Sequence, residues 1–151
     1  MALDENDSSV GHSFGLEFDG IQITAITEVT GLKMEQDVIE YKFNMANNKG
    51  AYHVKKLPGR PKAGECTLTR PLTKNNSFDQ WIKDAQLGKM KGARKGGSII
   101  VFDYEGEEVK RYTITAAWPK SLELSSMKAG DTSVLTEKLV LTYESCAPAG
   151  K

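Results

Sequence analysis

The sequence predicts a mainly β fold, a β-sandwich or barrel of about seven strands with one flanking α-helix. Three observations carry that expectation. Apolar and polar residues alternate with a period of two through most of the chain, as in IQITAITEV, VIEYKF and TEKLVLTY. Turn formers interrupt the alternation at short intervals, among them Asp19-Gly20, NMANNKG and Glu105-Gly106-Glu107. A helical period is evident in one segment, SFDQWIKDAQLG.

Met1–Ser13 is polar and acidic and reads as a flexible arm, residues 14–145 as one domain, and residues 146–151 as a tail. FGLEFDGIQITAITEVTGL then divides at Asp19-Gly20 into two short strands. In the second, Ile21, Ile23, Ala25, Thr27 and Val29 share one face, and Gly31 ends it. KMEQDVIEYKF and AYHVKKL form the arms of a long hairpin around the loop 44–50. Pro58-Gly59 reads as a turn, Pro61 excludes a central-strand hydrogen bond, and ECTLTR is strand up to Pro71.

Ser77 is placed to N-cap the helix with Gln80 three residues on, and Gly88 to terminate it. Phe78, Trp81, Ile82 and Ala85 recur on its core face. KMKGARKGG links the helix to a hairpin that turns near Gly106 and closes at Trp118 before Pro119, so both tryptophans read as core. SLELSSMKAGDTS is a looser connection, and SVLTEKLVLTYES supplies a last long strand.

Composition narrows the function. The 151 residues carry 20 basic and 20 acidic side chains, so no net charge steers the chain toward polyanions. The cations of Lys55–Lys62 and Lys89–Lys95 lie in loops without interleaved aromatics, a pattern of solvated or protein-facing segments and not of specific nucleic-acid binding. Cys66 and Cys146 fit no metal or redox motif and read as reduced thiols. His12 and His53 lack a partner at a recognisable spacing, and Gly92, Gly96 and Gly97 lack a phosphate-binding pattern. Asp103, Glu105, Glu107 and Glu108 read as a solvated turn. The expectation is no enzyme, no catalytic or metal site and no cofactor. No secretory segment or membrane anchor is read in the sequence.

Long alternating strands leave edges that must be covered, charged or paired with another copy. On the residues alone a self-assembling protein, a monomeric β-barrel ligand-binding module and a small enzyme with a dispersed site all stay open.

With these residues in view, the sequence resembles the tail-tube family of contractile injection machines. That family comprises inner tubes of contractile phage tails, tailocins and phage-like or extracellular injection systems, with the type VI secretion tube as a distant relative. The resemblance runs from Phe14 to Ser145. Its carriers are EVTGL with Gly31 and Leu32, Ile39-Glu40-Tyr41, KLPG with Pro58 and Gly59, and TLTR with Arg70 ahead of Phe78 and Trp81. AWP, with Trp118 and Pro119, and the closing strand with Glu137 complete it. The chain departs from the pattern at Pro71 and in the composition of the hairpin loop.

The resemblance implies hexameric rings stacked as a rigid hollow tube, which sheath contraction propels through a target envelope with or without lumenal cargo. It implies as partners further copies of the chain, a sheath protein, and baseplate or hub and tube-terminating proteins. It also implies synthesis in a bacterial cytoplasm and residence in an injection particle or virion tail. The contact between rings is expected at the projecting loop of Asn44, Met45, Ala46, Asn47, Asn48, Lys49 and Gly50, and the cations of KLPGRPK are expected to face neighbouring subunits or sheath.

Overall fold

The computed structural model describes residues 13–19 and 25–149. Among them are nine strands and two α-helices: β1 (Phe14–Phe18), β2 (Glu28–Thr30), β3 (Glu35–Met45), β4 (Ala51–Lys62), β5 (Gly64–Pro71), α1 (Ser77–Gln86), α2 (Met90–Ala93), β6 (Lys95–Phe102), β7 (Glu108–Leu124), β8 (Thr136–Tyr143) and β9 (Ser145–Ala149). The strand face assigned to Ile21 and Ile23, the arm with His12, and Lys151 lie outside the described residues.

β7 organises the domain. Its first half pairs antiparallel with β6 on one side and β9 on the other, and β6 also pairs with β1. Its second half pairs with β8, which pairs with β5, which pairs with β2. Between the halves Ala116 takes a left-handed φ of 54°, and the register shifts again after Pro119. A strand that bends in this way passes from one layer to the other, so the seven-stranded sheet serves as the two layers of a sandwich. β7 runs through Pro119 to Leu124, although the sequence reading closes it at Trp118. The fully buried Pro119 sits where the register slips, a site that tolerates a missing donor.

The core lies between the layers and under α1. Phe18, Ile99 and Ile114 come from one layer, Leu68, Leu139 and Leu141 from the other, and Phe78 and Trp81 from the helix. The Trp81 ring meets Phe18 at 5.6 Å, and its indole N–H donates to the Ala93 carbonyl at 2.6 Å. Trp118 is only half-buried. Gly97 is fixed by packing, because a Cβ there would collide with the Glu17 carbonyl and the Phe18 ring.

The helix begins at Ser77 as predicted, but its cap differs. Asn76 is the N-cap and makes no side-chain capping bond, while Asn75 Oδ1 accepts from the Ser77 N–H at 2.9 Å. At the other end Gly88, at φ +77°, donates to the Ala85 carbonyl and Lys89 to that of Asp84, closing the helix with a Schellman motif. Sheet pairing continues past Ser145, where the sequence reading ends the domain, because β9 adds to β7 up to Ala149.

Candidate functional site

β3 and β4 pair only with each other, from Glu35 opposite Lys62 to Met45 opposite Ala51. The ribbon continues an antiparallel pair already formed inside the domain. β2 opposes β5 with Glu28 against Thr69 and Thr30 against Thr67, and the same two chains pair again as β3 and β4 after Gly31–Met34 on one side and Ala63 on the other. The hairpin therefore leaves the sandwich at the Gly64 end of β5, where the Tyr143 hydroxyl donates to the Lys33 carbonyl at 3.4 Å. Twelve residues of β4 at about 3.3 Å each carry it roughly 40 Å outward.

Both ribbon faces display apolar groups. Ile39 opposes Leu57, Tyr41 opposes Lys55 and Phe43 opposes His53 on one face, with Tyr41 and Phe43 ring centroids 5.4 Å apart and Phe43 stacked on His53 at 5.7 Å. Val38, Val54 and Tyr52 occupy the other face. Val38, Ile39, Tyr41 and Tyr52 are each more than half exposed. The aromatic and cationic row appears only once the cross-strand register is fixed, so the linear sequence does not show it.

Pro58-Gly59 lies within β4 and is not a turn. Pro58 pairs with Val38 at a register shift between Gln36 and Val38, and a Cβ on Gly59 would meet the Asp37 carbonyl oxygen at 3.0 Å. Pro58 and Pro61 are tolerated because a two-stranded ribbon has no central strand. The cations of KLPGRPK are thereby placed along the projecting ribbon, where Lys62 pairs with Asp37 at 3.4 Å. The loop is shorter than the sequence reading: Asn44 and Met45 belong to β3, and the chain reverses through Ala46, Asn47, Asn48, Lys49 and Gly50, the last two at φ 54° and 71°.

The remaining motif residues sit inside the domain. Arg70 Nε donates to Glu137 Oε1 at 2.5 Å, joining β5 to β8, with both side chains almost wholly buried. Its other nitrogens donate to the Asn75 carbonyl at 3.0 Å and Ser77 Oγ at 3.4 Å, and the guanidinium lies 3.7 Å over the Phe78 ring centroid. One side chain thus ties two strands to the start of α1, and a charge removed from water retains several partners. Gly31, at φ +80°, makes the turn from β2 toward the hairpin, and Leu32 packs against the core.

Catalytic chemistry has little to work with. Among the described residues no three His, Cys, Asp or Glu side chains converge as a metal site. Asp103 Oδ1 accepts from the Glu105 and Glu107 backbone N–H groups at 2.9 Å, so it shapes the β6–β7 turn. Burial, reinforced by Cys146, pushes the Cys66 thiol up to about 12, and burial also raises Cys146, the reverse of an activated nucleophile. A hollow at the hairpin base, about 360 Å³, runs from Lys33 to Gln36 and across to Cys146 without converging catalytic groups. No described helix is long and apolar enough to cross a membrane.

The projecting ribbon leaves apolar side chains exposed on both of its faces. The family of the T4-like virus tail tube protein gp19 matches residues 10–147, and this chain belongs to that family. It is a tail tube protein, with a structural and non-enzymatic role.

Solved structures share the fold. A chain of the sheath–tube complex of the PVC extracellular contractile injection system in its extended state is 20% identical with a TM-score of 0.79, over 97% of this chain and 95% of that one. A chain of the anti-feeding prophage tube-terminating cap is 21% identical with a TM-score of 0.81, over 100% and 97%. One from the SPP1 tail tube is 14% identical with a TM-score of 0.58, over 95% and 80%. No curated protein matches the chain.

Proposed function

We infer that this chain is the inner-tube subunit of a contractile injection particle, forming hexameric rings that stack into a hollow tube within a sheath. The observation that carries this reading is the ribbon of β3 and β4, which exposes apolar side chains on both faces and forms its sheet with no other described strand. A two-stranded hairpin is at best marginal by itself in water, so its order calls for a second chain. Family membership supplies the tube role. Similar folds occur in a sheath–tube complex, a tube-terminating cap and a six-fold symmetrised baseplate, which supports sheath, terminator and baseplate proteins as partners.

Lateral contacts within a ring fall to the sheet edges, and the axial contact to the hairpin with its tip residues Asn44–Gly50. Propulsion by the sheath follows from the same reading, with or without lumenal cargo. Residence in an injection particle or virion tail, after synthesis in a bacterial cytoplasm, follows with them.

The test is electron microscopy of the purified protein beside a variant with Asn44–Gly50 shortened to Asn-Gly. Rings and tubes are expected from the native chain, and rings without tubes from the variant. A native protein that stays monomeric by light scattering at high concentration overturns the reading. Full-length tubes from the variant would place the axial contact elsewhere.

A further inference from the structure

The outer end of the hairpin is charged in one sense. From Tyr41 through the tip to Lys55 the chain carries Lys42, Lys49 and Lys55 and no carboxylate. His53 lies in this stretch. It is exposed, it opposes Phe43 in the register, and it stacks on that ring with centroids 5.7 Å apart and planes 16° from parallel. On the same face, Tyr41 with Lys55 is the next pair toward the base and Met45 with Ala51 the next toward the tip. Among the described residues, the titratable groups flanking the imidazole on its face are thus a phenol and an ammonium. The nearest carboxylates down the ribbon are Glu40, opposite Lys56 on the other face, and Asp37, engaged by Lys62 at 3.4 Å.

We propose that His53 makes assembly acid-sensitive: the neutral imidazole permits a second copy to cover the hairpin, and the imidazolium opposes it. The proposal rests on the stacked-tube reading and adds a control on it. Two effects act in the same direction. In the free subunit, water and the face of the Phe43 ring both accommodate the charged form. In a contact that covers the ribbon the charge loses its water, and the hairpin end supplies no carboxylate in exchange, only Lys42, Lys49 and Lys55. Proton binding therefore favours the free subunit. Association is at full strength while the imidazole is neutral and weakens as pH falls through the range where histidine takes up its proton. Aspartate and glutamate take up theirs near pH 4, so the interval between about pH 7.5 and 5.5 belongs to histidine.

Sedimentation and electron microscopy of the full chain at about pH 7.5 and 5.5 test it. The concentration at which the native protein enters tubes should rise about tenfold across that interval. His53→Gln, neutral at both values, should assemble equally at both, and His53→Lys should assemble as poorly at the higher pH as the native chain does at the lower. His12→Gln, which removes the other histidine of the sequence, should keep the native profile. A native chain that assembles equally at both values, or better in acid, overturns the proposal while the tube reading stands. So does a His53→Gln variant with the native profile. If His53→Gln forms no tubes at either pH, His53→Phe, which keeps a ring against Phe43, takes its place, and failure of both overturns the assignment to the neutral imidazole. A native chain that forms neither rings nor tubes at the higher pH overturns the underlying reading itself.

Discussion

The two-layer sandwich and the β3–β4 hairpin obey the same alternating pattern and meet opposite fates. In the sandwich, Leu68, Leu139 and Leu141 are fully buried, each layer covering the other and α1 closing over β7. On the hairpin, Ile39, Tyr41 and Val54 alternate just as regularly and remain exposed. Alternation specifies a strand and the face that seeks cover, but it does not say which chain provides the cover. A domain complete in one region and incomplete in the other is the expected form of a subunit that folds alone and finishes its structure on assembly.

The comparison breaks most readily at Arg70 and Glu137. Removing one member of a buried ion pair strands the other charge, so Glu137→Ala should cost about 3–5 kcal/mol in urea unfolding of the subunit. Arg70→Ala should cost at least as much, because it also releases Asn75, Ser77 and Phe78. Replacing both residues by apolar ones of similar volume should recover much of the loss. A cost below about 1 kcal/mol for either single change would show that the pair is solvated and the sandwich not closed there.

The cysteines sharpen the same contrast by a smaller effect. A thiol whose native value is raised from 9.0 to about 12 keeps its proton in the fold and loses it more easily in the unfolded chain. The stability from burying Cys66 is thus complete below about pH 9 and is lost as pH climbs toward 12. Cys66→Ala should flatten that alkaline decline. At pH 8 the half-buried Cys146 should react with a thiol reagent well before Cys66, and equal labelling rates would mean that the Cys66 side of the core opens.

How much of this could be read beforehand depends on where the information resides. The fold class, the α1 stripe of Phe78 and Trp81, the Gly88 stop and the hairpin were visible because each is written in local periodicity or turn chemistry. Ser77 does not cap the helix because its hydroxyl is engaged by Arg70, seven residues away and on another element. Pro119 concealed the continuation of β7, since a proline reads as a stop unless a register shift accommodates it. Pro58-Gly59 reads as a turn for the related reason that a ribbon with free outer edges accepts residues a central strand would reject. The Tyr41–Lys55 and Phe43–His53 pairings depend on register across the hairpin and have no signature along the chain.

The smallest expected effect separates the two regions most cleanly. Ile39→Ser, Tyr41→Ser and Val54→Ser change side chains that no layer of the subunit covers, so each should alter the stability of the dilute, unassembled protein by no more than about 0.5 kcal/mol. Assembly provides the contrast. If copies bury these faces, association with the folded state stabilises the native chain by mass action, and its melting temperature should rise with protein concentration. The triple variant should melt at the same temperature at every concentration, close to that of the dilute native chain. A loss of 2 kcal/mol or so in the dilute variant would mean that the hairpin folds back as part of the subunit's own core. A concentration dependence equal to that of the native chain would instead assign assembly to the sheet edges alone, leaving the apolar ribbon without a role in it.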